Sequence, residues 1–300
     1  MNNVYKIQVG LLIKILPLLY RIEEFAIHGG TAINLFIKNM PRYSVDVDIT
    51  FIPIKDRESS FAEINTLLLI LKTQIERAIP NINIIHRPST LKLYCTSDGA
   101  TVKIEVNGTK RGIIGDVLVQ ELCLKAQSEF NAICKANIVP LSQLYGGKIA
   151  AALSRQHPRD LFDYKYMELD SFDVVKDGLM LSLLGSDKPI IESLNPNLTN
   201  QRLALDNQFK GMTDTSFSYE DFEITRNDLI TKVNSLFDKD DKEFLLSFEM
   251  GVPLWEKCCA GDLSNHPSVK WKLQNILTLK SLKSAKFNKE IDKFRDYLEL

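Results

Sequence analysis

Apolar and polar residues alternate in two different ways along the first third of the chain. Residues 5–24 and 60–79 carry apolar side chains at three- and four-residue spacing, which predicts two amphipathic helices. The segment "FAI" at 25–27 predicts a short strand, and "SVDVDITFI" alternates with a period of two. The segment "LKLYCTSDGATVKIEVN" predicts two strands joined at an Asp98-Gly99 turn. The first 115 residues therefore predict a compact unit that mixes strands with helices.

Strand patterns fade from about residue 116 onward. The segment "PLSQLYGGKIAAALSRQHPRDLFDYKYMEL" predicts helices with a break at His157-Pro158, and the last 35 residues are helical in pattern again. Between them, residues 184–220 are polar and predict a long excursion. A length of 300 residues fits two domains. The pattern predicts an α+β protein, with a mixed-sheet domain over 1–115 and a mostly α-helical domain over 116–300.

Composition narrows the class of protein. A hydrophobic content of 45% and a charged content of 25% are those of a globular protein with a core, and the formal net charge is -1. A nucleic-acid partner would therefore be held by a local basic patch. The apolar run "VGLLIKILPLLY" is interrupted by Lys14 and Pro17, so we expect neither a membrane span nor a signal peptide. Five cysteines without C-x-x-C spacing predict reduced thiols and a cytoplasmic location.

Two short strands carry acidic residues at alternate positions. Asp46 and Asp48 point to one face of their strand, and Glu105 shares a face with Thr101 and Lys103 on another. If the strands are neighbours, the three carboxylates form an oxygen site suited to Mg²⁺ or Mn²⁺. The alternative is that these acids are only the hydrated face of a half-exposed sheet.

A glycine-rich turn precedes the paired aspartates. Gly29 and Gly30 end the first predicted strand, and Thr31 is a predicted N-cap for the helix that follows. Such a turn lets backbone amides approach a phosphate, and the helix N-terminus adds a partial positive charge. Alone it is equally typical of a tight turn. Its position just before the paired aspartates favours the phosphate-binding interpretation.

The combined segment "GGTAINLFIKNMPRYSVDVDI" resembles the GG[ST]AL…R-x-S-x-D-[IV]-D signature of the AbiEii/AbiGii-type toxin nucleotidyltransferases, a branch of the DNA-polymerase-β-like superfamily. The matching positions are Gly29, Gly30, Thr31, Arg42, Ser44, Asp46 and Asp48. The segment "GKIAAALSRQHPRDLFDY" is similar to the family's K-x-x-A-x-x-x-R…RD-x-x-D block. Its matching positions are Lys148, Arg155, Arg159, Asp160 and Asp163. Glu105 departs from the aspartate that the superfamily often has as its third carboxylate.

The resemblance implies a polymerase-β-like nucleotidyltransferase domain followed by a helical domain that completes the cleft. It implies a metal site at Asp46, Asp48 and Glu105 and catalytic roles for Asp46, Asp48, Lys148 and Asp160. Nucleotide binding is implied for Gly29, Gly30, Thr31, Arg42 and Ser44. By spacing alone, Lys148 would be a solvated charge, and Asp160 and Asp163 would be helix-capping acids.

The same resemblance implies the biological role. It predicts a toxin of a toxin-antitoxin or phage-defence pair that transfers a nucleotide from a nucleoside triphosphate to an acceptor hydroxyl, with release of pyrophosphate. The tRNA 3′ end is the leading acceptor, and the antitoxin would be a separate protein encoded nearby. Two alternatives stay open: a nucleotide- or RNA-binding protein that acts by occupancy, and transfer to a small-molecule or protein hydroxyl. The intact pair of Asp46 and Asp48 argues against the first of these alternatives.

The segment from Lys270 to Arg295 is strongly basic, with eight basic residues against Glu290 and Asp292. Most such runs are the hydrated face of an amphipathic helix. In a chain of almost no net charge, however, this segment is the best candidate for contact with a polyanion. The predicted RNA-binding residues are Lys270, Lys272, Lys280, Lys283, Lys286 and Lys289.

Overall fold

The computed structural model describes residues 3–169 and 171–300 and contains a single seven-stranded sheet in that part of the chain. The strands are β1 Phe25–His28, β2 Val47–Phe51, β3 Asn83–Arg87, β4 Lys92–Ser97, β5 Ala100–Val106, β6 Leu118–Glu121 and β7 Lys135–Ile138. The helices are α1 Asn3–Leu19, α2 Gly29–Ala32, α3 Arg57–Ala78, α4 Leu124–Phe130, α5 Leu141–Arg155, α6 Pro158–Lys165, α7 Lys176–Leu184, α8 Ile190–Leu194, α9 Arg202–Ala204, α10 Tyr219–Leu236, α11 Lys239–Glu249, α12 Pro267–Leu282 and α13 Ser284–Leu298. Helix α2 continues directly into a π-helical turn, Ile33–Ile37.

The sheet is mixed, in the order β3-β4-β5-β2-β1-β7-β6. Strand β2 is antiparallel to β1 and parallel to β5, and β7 is parallel to β1. The residues of β2 and β5 that alternate with the acidic positions are buried, as the period-two pattern requires. The predicted α+β class with a mixed sheet is confirmed.

The hairpin between β4 and β5 forms where the sequence predicts it. Asp98 and Gly99 both have left-handed backbone angles, with φ of 49° and 76°. A two-residue turn with both residues at positive φ matches the twist of the flanking strands, and Asp-Gly is favoured at these positions. The turn fixes the register in which Lys92 lies opposite Glu105.

The chain divides into two compact units at positions that differ from the predicted domain boundary. The first unit holds the chain as far as Leu144 together with Arg202–Ser218, and the second holds Tyr145–Gln201 and Tyr219–Leu300. The predicted boundary at residue 115 falls inside the first unit because β6 and β7 extend the sheet beyond it. Strand β7 pairs with β1, more than 100 residues earlier in the chain, and such non-local pairing has no local sequence signal.

Part of the predicted polar excursion over 184–220 belongs to the first unit. The backbone N–H of Tyr43 donates to the carbonyl of Met212 at 2.7 Å, and the Thr213 hydroxyl donates to the carbonyl of Pro41 at 2.8 Å. These bonds tie Arg202–Ser218 to the loop that leads into β2.

Helices α5 and α7 of the second unit approach each other closely at one glycine. A Cβ added at Gly146 would collide with the main chain of Gly178 and Leu179, whereas one added at Gly147 would meet only the Ser182 hydroxyl at 3.8 Å. Gly146 therefore lets the backbone of α7 approach α5 closely. Across the described ranges, no helix combines the length and apolar character needed to cross a bilayer.

The two glycines provide a matched stability test. We expect Gly146→Ala to lower the free energy of unfolding by about 1–3 kcal/mol, because overpacking forces the helices apart. Gly147→Ala should be neutral or stabilising by about 1 kcal/mol, because alanine loses less backbone entropy in a helix. Urea denaturation of both variants measures the difference, and equal effects would contradict the close approach at Gly146.

Candidate functional site

Four charged or titratable residues lie in one row across four strands of the sheet. Lys92 of β4 is opposite Glu105 of β5, Glu105 is beside Asp48 of β2, and Asp48 is opposite His28 of β1. Residues in register on neighbouring strands project to the same face. The prediction that Asp48 and Glu105 share a face is therefore confirmed by the strand register.

The Glu105 carboxylate is held by two lysines. Its Oε1 lies 3.1 Å from Lys92 Nζ and its Oε2 lies 2.9 Å from Lys103 Nζ. Partial burial raises the pKa of Glu105, but hydrogen bonds and charge from Lys103 and Lys92 outweigh it, so the pKa lies below its ordinary value. Within the described residues, no three His, Cys, Asp or Glu side chains are grouped to hold a metal ion. Lysines thus engage both oxygens of Glu105, and the predicted three-carboxylate metal site stays a prediction.

The Lys103 ammonium also interacts with the paired aspartates. Its partial burial lowers its pKa, but Glu105, Asp46 and Asp48 together outweigh this effect and the pKa is raised. Lys103 is two residues before Glu105 and so faces the same side of β5. The site therefore combines two half-buried aspartates with a fixed positive charge.

The glycine turn lies against Asp48. Gly29 has φ of 72°, and a Cβ at this position would come within 2.9 Å of Asp48 Oδ2. Only glycine fits both the left-handed backbone and the close approach. Helix α2 begins at Gly29 with His28 as its N-cap residue, so the prediction that Thr31 is the N-cap is wrong.

Three predicted nucleotide-binding side chains point into the protein. Thr31, Arg42 and Ser44 are all buried. The Thr31 hydroxyl contacts Ser44 Oγ at 3.0 Å and the carbonyl of Asp46, and an Arg42 Nη1 donates to the carbonyl of Tyr43 at 2.8 Å. A Cβ at Gly30 would lie 2.6 Å from Arg42 Nη2, so this glycine makes room for the arginine. These side chains brace the turn and the strand that follows it.

The second unit contains a buried cluster of charges. Lys148 Nζ of α5 lies 3.0 Å from Asp160 Oδ1 and 2.8 Å from Asp163 Oδ2, both on α6. Arg155 Nη2 lies 2.8 Å from Asp160 Oδ2, although the arginine side chain is 64% exposed. The interpretation of Lys148 as a solvated charge is therefore wrong. Asp160 and Asp163, one helical turn apart, converge on the same ammonium.

The charge cluster determines the protonation of Asp160. Burial raises the pKa of this carboxyl, but the charges of Lys148 and Arg155 outweigh burial and the repulsion from Asp163, so the pKa is lowered. Asp160 is thus an ionised, ion-paired carboxylate. The N-cap of α6 is His157, whose side chain accepts from the Arg159 N–H at 3.1 Å, so Asp160 does not cap this helix.

One predicted RNA-binding residue lies in the interior. Lys272 is 6% exposed, is 3.3 Å from Glu249 and donates to the carbonyls of Leu183 and Lys188. Its position on the buried face of α12 removes it from the candidates. The remaining candidates are exposed: Lys270, Lys280, Lys283, Lys286 and Lys289. Phe287 and Phe294 are buried on the inner face of α13, whereas Trp271 is exposed.

The structure adds residues to the site that the sequence analysis does not single out. Lys92 and Lys103 contact Glu105, and His28 lies beside Asp48 with its Nδ1 3.0 Å from Thr50 Oγ1. The alternation of β5 already indicates that Lys103 and Glu105 share a face. The position of Lys92 follows only from the hairpin register, and that of His28 only from the pairing of β1 with β2.

Comparison with solved structures shows which known fold this chain shares. The fold is similar to that of MenT4, a nucleotidyltransferase toxin from Mycobacterium tuberculosis H37Rv, with a TM-score of 0.58. The two chains are 14% identical, and the match covers 91% of this chain and 93% of that one. A search of curated protein sequences gives no match.

Comparison with protein families identifies the family. Residues 14–275 match the family described as nucleotidyl transferase AbiEii toxin, type IV toxin-antitoxin system. The chain belongs to this AbiEii family of toxin nucleotidyltransferases, as the signature residues predict. It is therefore a nucleotidyltransferase enzyme that uses a nucleoside triphosphate, and a toxin-antitoxin system implies an antitoxin partner.

Proposed function

We propose that this nucleotidyltransferase transfers a nucleotide from a nucleoside triphosphate to a hydroxyl of an RNA acceptor, with the tRNA 3′ end as the first candidate. The observation that carries the proposal is the position of Asp48 against the Gly29-Gly30 turn. A carboxylate pair for a divalent cation and a backbone turn for phosphates thereby lie side by side in the first unit.

Asp46 and Asp48 fit a divalent metal ion. Both are half-buried and offer only oxygen ligands, which Mg²⁺ and Mn²⁺ prefer. An ion bound there would supply Lewis acidity at the α-phosphate and lower the pKa of the attacking hydroxyl. The close fit of Gly29 against Asp48 Oδ2 keeps a side chain out of the space beside that carboxylate.

The chain's own residues orient the reactants in this proposal. The acceptor hydroxyl gives up its proton to water and its oxygen attacks the α-phosphorus. The bond from this phosphorus to the bridging oxygen breaks, and pyrophosphate leaves with that electron pair. The backbone of Gly29 and Gly30 contacts phosphate oxygens, and the buried side chains of Thr31, Arg42 and Ser44 hold that backbone in place.

Lys148 and Asp160 of the second unit are assigned to the reaction by the family resemblance. Because Asp160 is ion-paired and its pKa is lowered, we favour a role in positioning Lys148 and Arg155 over a role as proton acceptor.

The exposed lysines of α12 and α13 support an RNA acceptor. We expect charge reversal at Lys283, Lys286 and Lys289 to weaken RNA binding at all sequences and to reduce the salt dependence of the affinity. Each lost phosphate contact lowers the slope of log K against log salt by about 0.7–0.9. Fluorescence anisotropy over a salt series measures both quantities.

Nucleotide affinity serves as the control for this triple variant, since Asp46 and Asp48 are unchanged. Reversal of three acidic neighbours, Asp292, Asp296 and Glu299, provides a matched variant of the same helix region that should not weaken RNA binding. An unchanged salt slope in the lysine variant would exclude this surface as the RNA contact.

The two alternatives predict different products. A protein that acts by occupancy would bind RNA or nucleotide without forming pyrophosphate, and a small-molecule or protein acceptor would be labelled in place of RNA. Incubation of the purified protein with total tRNA and each α-labelled nucleoside triphosphate in Mg²⁺ separates these cases. We expect label on tRNA from at least one nucleotide. Label on protein or on a small molecule alone would contradict the RNA acceptor. The cytoplasmic location predicted from the reduced thiols agrees with an RNA acceptor.

A further inference from the structure

We propose that Glu105 is a positioning residue and not a metal ligand: it holds the Lys103 ammonium beside Asp46 and Asp48, so that Lys103 meets the triphosphate while the aspartates alone bind one divalent ion. This inference rests on the proposed function. It assigns to Lys103 a contact with phosphate oxygens and gives Glu105 a role different from that of a third carboxylate.

The ion pairs of Glu105 support its role as a positioning residue. Both carboxylate oxygens are engaged, Oε1 by Lys92 and Oε2 by Lys103, at 3.1 and 2.9 Å. Two cations on one carboxylate leave it a poor ligand for a third, because like charges repel at short range. The alternation of β5 and the hairpin register bring both lysines to the same face as Glu105.

The position of Lys103 supports its contact with the triphosphate. Strand β2 pairs in parallel with β5, and Val47 lies beside Ile104, so Asp46 and Lys103 are next to each other one residue earlier. The raised pKa of Lys103 has contributions from Asp46, Asp48 and Glu105, which places its ammonium in the field of all three. Its side chain is 30% exposed and thus accessible to a phosphate.

The Lys103 ammonium reduces the charge repulsion between a triphosphate and the two aspartates. A nucleoside triphosphate brings several negative charges to two aspartates, and a fixed ammonium offsets part of that repulsion without recruitment of a second ion. Glu105 in turn keeps the ammonium from closing onto Asp46 or Asp48, where it would compete with the ion.

The test measures Mn²⁺ affinity by electron paramagnetic resonance and nucleotide affinity in EDTA. In Lys103→Met, release of Glu105 and loss of one positive charge should raise Mn²⁺ affinity about tenfold or more. The same variant should lose about tenfold in nucleotide affinity without metal, as expected for a charged hydrogen bond. Lys103→Arg should restore nucleotide affinity. Lys135→Met, the matched control at a lysine that pairs with Glu121 outside the site, should change neither affinity by more than about twofold.

The double variant Lys103→Met/Glu105→Gln decides between the two roles of Glu105. It has the same net charge as the wild type and should return Mn²⁺ affinity to within about twofold of the wild-type value. Unchanged Mn²⁺ affinity in Lys103→Met, with a loss of tenfold or more in the double variant, would show that Glu105 binds the metal and overturn the inference. Failure of the proposed function is separate: Asp46→Asn/Asp48→Asn would then bind Mn²⁺ as the wild type does.

Discussion

Asp46→Asn and Asp48→Asn should each lower the rate of nucleotide transfer by about three orders of magnitude. Each substitution removes one anionic oxygen ligand while it keeps the shape of the side chain. A bound metal ion contributes several kcal/mol to the reaction, and about 1.4 kcal/mol corresponds to a factor of ten in rate. Single-turnover transfer of label from an α-labelled nucleoside triphosphate measures the effect.

The protein should remain folded in both variants because neither aspartate is buried in the core. Asp116→Asn is the matched control, since this exposed aspartate belongs to the same unit but to neither β2 nor β5. Its transfer rate should equal that of the wild type. A reduction of less than about tenfold in both site variants would exclude the aspartates from the reaction.

Lys148→Met should destabilise the second unit by about 3–5 kcal/mol. The substitution removes the cation that Asp160 and Asp163 share, and both carboxylates are buried. The result would differ from that of a solvated lysine, whose loss changes stability by less than about 1 kcal/mol. Urea denaturation followed by circular dichroism measures the free energy of unfolding.

Arg155→Met is the control for this comparison. Arg155 contacts the same Asp160 but is largely exposed, so its removal should cost less than about 1 kcal/mol. Loss of transfer in Lys148→Met with unchanged stability would contradict the structural role and favour direct contact of Lys148 with the triphosphate.

The fold could be predicted from the sequence where its signals are local. The Asp98-Gly99 turn, helix α3 and the break at His157-Pro158 all depend on residues close in the chain, and all are present. Strands β3, β6 and β7 were not predicted from the sequence, and the pairing of β7 with β1 is non-local and leaves no local signal. The return of Arg202–Ser218 to the first unit likewise depends on hydrogen bonds that no local pattern shows.

The sequence predicted which face of the sheet carries the site residues, but it did not predict their side-chain contacts. Alternation correctly placed Asp48 and Glu105 on one side of the sheet. It could not show that lysines from two strands would engage Glu105, or that Thr31, Arg42 and Ser44 would turn inward. Similarly, helical spacing placed Lys148 on a face of α5 without showing that α6 covers it. Contacts of this kind depend on how elements pack, which residue types and spacing do not determine.

Labelling of tRNA from an α-labelled nucleoside triphosphate shows whether Asp46 and Asp48 carry the transfer reaction. Wild type and the Asp46→Asn/Asp48→Asn double variant are incubated with tRNA and a nucleoside triphosphate labelled at the α-phosphate, in Mg²⁺ and in EDTA. We expect wild type in Mg²⁺ to attach the label to tRNA and to release one pyrophosphate per label, and the variant and the EDTA samples to do neither. Equal labelling by wild type and the double variant would contradict it.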